Sequence, residues 1–134
     1  MTAEDEKLKT KTRPVRLLKF GGLTCPPCIA MERAKTLERL TEDFAQVEVV
    51  KLDVHDAEHE TPDGSLFAQN YALSDEYEVT VLPTLVFEDT ETGDELGRHE
   101  GAISSKDLRN LTRDVLDLWE EKADRRALSR KVKS

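Results

Sequence analysis

The sequence predicts an α/β protein of one domain, with a central mixed sheet of four or five strands flanked by helices. Three observations lead there. Apolar segments with the two-residue period of strands alternate with a segment of helical three-to-four spacing. The first part of the chain runs strand, helix, strand, the order of parallel pairing. The later part carries two strand-like segments joined by a tight turn, the order of an antiparallel hairpin, followed by a last helix.

Residues 1–13 are mixed in charge and without period, and they read as a tail. Val15 to Phe20 is the first strand, and Gly21 and Gly22 let the backbone turn after it. From Cys28 onward, Met31, Ala34, Leu37, Leu40/Thr41 and Phe44 mark one face of a helix reaching about Phe44. Val47 to Val54 sets Val50, Leu52 and Val54 against Val49, Lys51 and Asp53, a central strand with polar groups on one side. His55 to Ser74 is polar and holds Pro62, Asp63 and Gly64, strong turn residues. Within it Leu66, Phe67, Ala68 and Tyr71 suit a short helix, and Ser74 suits the cap of another beginning at Asp75.

Thr84 to Phe87 is the next strand, preceded by Pro83. Thr92, Gly93 and Asp94 turn the chain, Glu95 to Glu100 returns as an edge strand, and Gly101 ends it. Ser104 with Asp107 resembles a capping box. Leu108, Leu111, Val115 and Leu118 then give the last helix a buried stripe, with Trp119 beside it. The domain spans 14–121. Beyond it, residues 122–134 form a basic extension with Lys122, Arg125, Arg126, Arg130, Lys131 and Lys133 against Asp124, read as a solvated, fraying tail.

A chain of 134 residues is long enough to bury a core. Its net charge of −8 disfavours nucleic acid and anionic membranes as partners. No apolar run approaches a membrane span. The acidic start, Met1 to Lys7, lacks the apolar stretch of a signal peptide, so a cytoplasmic location is expected. Both cysteines sit in one motif, Cys25-Pro26-Pro27-Cys28. So close a pair staples no framework, and in a reducing compartment it points to redox or metal chemistry. The motif opens the first helix, where free backbone N–H groups and the helix dipole favour an anion. Here that anion is a thiolate, the nucleophilic form of cysteine.

This order, with the cysteine motif opening the first helix and Val81-Leu82-Pro83-Thr84 opening the penultimate strand, resembles the thioredoxin family over roughly residues 15–120. The resemblance implies a thioredoxin fold and a thiol–disulfide oxidoreductase that reduces protein disulfides. Cys25 would attack the substrate disulfide and Cys28, one helical step inside, would resolve the mixed disulfide. Pro26 and Pro27 stiffen the turn and remove two donors, leaving the N–H of Cys28 as the nearest main-chain donor to the Cys25 sulfur. Pro83 is expected cis and facing the cysteines, with the carbonyl and N–H of Leu82 open to an extended substrate. Thr24, Pro26, Pro27, Val54, Val81, Leu82, Glu100 and Gly101 would form the docking surface. The implied partners are disulfide-bearing proteins and an electron donor like thioredoxin reductase. A monomer without cofactor or metal is expected.

The departures from the family are specific. Thr24 replaces the usual Trp, and Pro26-Pro27 replaces Gly-Pro. Arg33 stands where a proline usually kinks the first helix, so a straighter helix is expected. Lys19 stands in place of a buried proton-transfer aspartate, while Lys51 matches the family's lysine on the neighbouring strand. Two ammonium groups under one dithiol repel unless something intervenes, and Asp53 is the candidate partner and proton acceptor. For Lys19 the plainer reading is a side chain that snorkels to water. The sharper one is that Lys19 or Lys51 lowers a cysteine pKa, against the opposite effect of Glu100.

The segment between Lys51 and Pro83 exceeds the compact family pattern and contains His55, Asp56, His59 and Glu60, read as a solvated loop in preference to a metal site. Two other functions stay open. One is an exported oxidase or isomerase of the same fold, since about 30 mV changes a two-electron equilibrium tenfold. The other is a non-catalytic binding module that docks a partner through the basic extension.

Overall fold

Val15–Gly22 forms β1, and its apolar side chains fill both faces of a sheet: Val15 and Leu17 on one, Leu18 and Phe20 on the other. The computed structural model describes residues 13–22, 25–55 and 72–133, with side chains except at positions 53, 55 and 130–133. After β1 come helices α1 (Pro26–Arg33) and α2 (Thr36–Asp43), then β2 (Val47–His55). A helical turn at residues 72–76 precedes the hairpin of β3 (Thr84–Asp89) and β4 (Glu95–Glu100), and α3 (Ser105–Lys133) ends the chain. Among the described residues the sheet has four strands in the order β2-β1-β3-β4. β1 runs parallel to β2 and antiparallel to β3, and β3 runs antiparallel to β4. The expected mixed sheet, parallel at its start and antiparallel at its finish, is present. No helix among the described residues is long and apolar enough to cross a membrane.

The two faces of the sheet carry different cores. Met31, Leu37, Leu40, Leu108 and Val115 from the three helices pack against Val15, Leu17, Val47, Leu85 and Phe87. On the other face Leu18, Phe20, Val54 and Val86 are joined by Leu73, Tyr77 and Val79. Strand alternation places Lys19 and Lys51 on the helix-covered face, in line with Val15, Leu17 and Val47. That is why a lysine ends up under a helix.

Several expectations are corrected here. β2 lies at the edge of the described sheet; the central position belongs to β1, which is buried on both faces. Gly21 and Gly22 are residues of β1 and not of a turn after it. The first helix is not straight but broken at Ala34–Lys35. The N–H groups of Ala34 and Lys35 donate to Ala30 and Glu32, and Lys35 takes a left-handed conformation with φ 53°. That conformation ends a helical ladder without any proline. Leu37 and Leu40 stay buried after the break, while Ala34 is exposed. Ser74 is inside the helical turn at 72–76 and does not precede it. The expected helix at Leu66–Tyr71 and the loop residues Asp56, His59 and Glu60 lie outside the described residues.

The last helix begins as expected. The Asp107 N–H donates to the Ser104 hydroxyl at 3.1 Å, half of a capping box. Residues 122–133 then continue α3 without a break, so the basic extension is helical and not a fraying tail. Arg126 anchors it by donating to the buried carboxylate of Asp89 at 3.3 Å. Gly93 turns the hairpin at φ 79°.

Candidate active site

The cysteine motif sits where β1 hands over to α1. Cys25 is the residue before the helix, in extended conformation, and Pro26 and Pro27 occupy its first two positions. Neither proline has an N–H to leave unsatisfied, so the helix opens at little cost. The first helical bond runs from the Ile29 N–H to the Cys25 carbonyl at 3.0 Å. One helical step separates the two sulfurs in environment. Cys25 is half-buried and Cys28 is 2% exposed, and both are free thiols. Burial, a hydrogen bond with Cys25 and the charge on Cys25 raise the Cys28 pKa to about 11, against a backbone contact with Gly22 and the charge of Lys19, which lower it.

Across from the motif, the Leu82–Pro83 peptide is cis. The Cys25 thiol donates to the Leu82 carbonyl at 3.6 Å, so the Leu82 peptide faces the motif as expected. The loop is braced from both sides. The Thr84 hydroxyl donates to the Val81 carbonyl at 2.5 Å, and the Gly101 N–H donates to the Pro83 carbonyl at 2.7 Å. Gly101 supplies this bond at φ 91°, a conformation that favours glycine. Val81 is 43% exposed beside the half-buried Leu82, and Glu100 is exposed next to Gly101. Pro26 is exposed and Pro27 half-buried. Of these residues Leu82 touches Cys25 directly, and Gly101 is tied to the same loop through Pro83.

Other expected site residues stand elsewhere. Val54 is 7% exposed and packs with Leu18, Phe20 and Val86, so it is core and not docking surface. Its side chain lies on the strand face that packs into the sheet's second core. Thr24 and the side chain of Asp53 lie outside the described residues; the Asp53 backbone pairs with Gly21.

Lys19 does not snorkel. It is 5% exposed and its Nζ donates to Glu32 Oε1 at 2.8 Å. Lys51 is its direct cross-strand neighbour and donates to the other oxygen of Glu32 at 3.2 Å and to Glu38 at 2.5 Å. Like charges opposite one another in a sheet are destabilising, and Glu32 is the group that intervenes. The Lys19 hydrogen bond, opposed by partial burial and helped by Lys51, holds the Glu32 carboxyl below its ordinary 4.5. Lys51 likewise lowers Glu38, and Glu38 more than Glu32 raises Lys51. Sequence reasoning missed Glu32. The available signal was its position one helical turn after Cys28, on the same face of α1.

Comparison with known proteins fits this geometry. Residues 2–116 match the family model described as a thioredoxin-like domain. A thioredoxin of Fasciola hepatica is 26% identical, with 83% of this chain and 90% of that one covered and a TM-score of 0.57. A mutant thioredoxin of Halobacterium salinarum is 25% identical over 83% and 81% of the two chains, with a TM-score of 0.57. A thioredoxin from Trypanosoma brucei brucei, 23% identical over 87% of each chain, shares the fold with a TM-score of 0.58. No curated protein matches the chain.

Proposed function

Because the chain belongs to the thioredoxin-like family, whose thioredoxin fold it shares, we propose that it reduces disulfides of other proteins through Cys25 and Cys28. The observation that carries this reading is the half-buried Cys25 sulfur 3.6 Å from the Leu82 carbonyl, with Cys28 buried behind it. In this reading Cys25 meets the substrate and Cys28 resolves the mixed disulfide.

The chemistry balances without a cofactor. The Cys25 thiolate attacks one sulfur of a substrate disulfide, and the other substrate sulfur leaves with the bonding pair and takes a proton. Cys28 then loses its proton and attacks the Cys25 sulfur. The Cys25–Cys28 bond forms, the bond to substrate breaks, and the second substrate sulfur leaves as a thiolate. The substrate gains two electrons and the protein loses two. An extended substrate segment pairs with the Leu82 peptide and rests on Val81, Pro26 and Gly101. A dithiol donor, such as a thioredoxin-reductase-like protein, restores the thiols.

Cysteine-to-serine variants test it. Cys25→Ser should abolish reduction of a disulfide substrate, and Cys28→Ser should accumulate a mixed disulfide through Cys25. Trapping through Cys28 in the Cys25→Ser protein would reverse the assignment. The equilibrium potential of the dithiol decides between a reductant and an oxidase or isomerase, because about 30 mV corresponds to a tenfold change in the equilibrium constant.

A further inference from the structure

Behind Cys28 the side chains form a row of alternating charge. A Cβ built on Gly21 would stand 3.5 Å from the Cys28 sulfur and 3.6 Å from Lys19 Nζ, so thiol and ammonium both border the open side of the glycine. From Lys19 the row runs to Glu32, then Lys51, then Glu38, at 2.8, 3.2 and 2.5 Å. Lys19, Cys28, Glu32 and Lys51 also line one cavity of about 330 Å³. Among the described residues Lys19, Glu32 and Lys51 are the charged groups lining that cavity. Cys28 and Lys19 are its buried end, while Glu32 and Lys51 are 44% and 41% exposed at its mouth.

Glu32 has two chemical options: to accept the proton of Cys28 or to balance the charge of Lys19. Its oxygens are each occupied by an ammonium group, and those contacts make it a weaker base. The ammonium of Lys19 favours a Cys28 thiolate, and a carboxylate paired to it weakens that field.

We propose that Glu32 is a positioning residue of the dithiol: paired with Lys19, it damps the ammonium field at Cys28 and so sets the rate at which a mixed disulfide on Cys25 is resolved. The inference rests on the exchange chemistry proposed above. In the step it governs, the Cys28 proton passes to solvent in the cavity, and the thiolate attacks Cys25 and expels the substrate sulfur.

The sign of the effect separates the two options. Glu32→Gln keeps an oxygen for Lys19 but removes the charge. A tenfold gain in Cys28 thiolate, offset by the lower nucleophilicity of a more acidic thiol, speeds resolution by roughly threefold. Lys19→Met acts the other way and slows it by about the same factor. Lys51→Met, at a half-exposed position, leaves Glu32 to Lys19 alone and also slows it.

The reduced protein is mixed with Ellman's reagent in a stopped-flow instrument. The first release of thionitrobenzoate reports attack by Cys25, and the second, independent of reagent concentration, reports resolution by Cys28. The expected result is a faster second phase in Glu32→Gln, its pH profile moved to lower pH by about one unit, and slower second phases with the opposite shift in Lys19→Met and Lys51→Met. A second phase that slows in Glu32→Gln would make Glu32 a proton acceptor and overturn the proposal. An unchanged rate and pH profile in Glu32→Gln would overturn it too. A chain that gives no second phase at all, before any substitution, would overturn the exchange reading and this inference with it.

Discussion

Gly21 is the residue on which the inner half of the site depends. Its missing side chain lets Lys19 and Cys28 approach from two sides, with Lys19 Cε 3.2 Å from where a Cβ would stand. Gly21→Ala should therefore displace the end of Lys19 from Cys28. The lysine end is flexible, so the strand should survive, but the second phase of thiol exchange should slow two- to threefold, as in Lys19→Met. Stopped-flow mixing alongside a denaturant melt checks both halves. An unaltered rate would mean that Lys19 does not reach Cys28 through this gap. The need for a countercharge here was legible in the sequence, because two lysines under one dithiol demand one. Its identity was not. Glu32 meets Lys19 and Lys51 only because β1 and β2 pair in parallel with Lys19 opposite Lys51, a register set by residues more than thirty apart.

Elements whose signals are local were legible: the hairpin at Thr92–Asp94, the cap at Ser104 and the apolar stripe of the last helix all depend on neighbours a few residues away. The helix break at Lys35 was not, because a left-handed lysine carries no sequence mark and is held by the packing of Leu37 and Leu40 after it. Nor was the burial of Val54, which alternation assigns to a face but not to a core. Packing between elements supplies a sharper test at Gly97, in β4. A Cβ there would stand 2.8 Å from Val115 Cγ2, at the contact between the edge strand and α3. Gly97→Ala should cost about 1–3 kcal/mol through overpacking. Chemical denaturation should show a lower midpoint. A midpoint equal to that of the unmodified chain would mean that α3 can slide away from β4 without loss.

At the scale of the whole molecule, α3 ties the end of the chain to the end of the sheet farthest from the cysteines. Its 29 residues span about 43 Å. Its final turns meet β3 at Asp89, whereas the loop facing Cys25 enters β3 at Thr84, the opposite end. Asp89 is 1% exposed, and its carboxylate accepts the N–H groups of Glu91 and Thr92 at 2.8 and 3.3 Å and the guanidinium of Arg126 at 3.3 Å. The extension adds little apolar packing there, since Leu128 is 63% exposed. Its structural contribution is the Arg126 contact to a buried carboxylate, which retains two backbone donors when Arg126 is gone. A chain ending at Glu121 should therefore lose about 1.5–3 kcal/mol of stability, the scale of a hydrogen bond to a charged group. Both phases of thiol exchange should keep their rates, because no group of the truncated segment stands near Cys25, Cys28 or Lys19 among the described residues. Denaturant titration and stopped-flow mixing on the same preparation measure the two outcomes separately. A truncated protein as stable as the full chain but slower in exchange would reverse this assignment, making residues 122–134 part of the reaction and not of the scaffold.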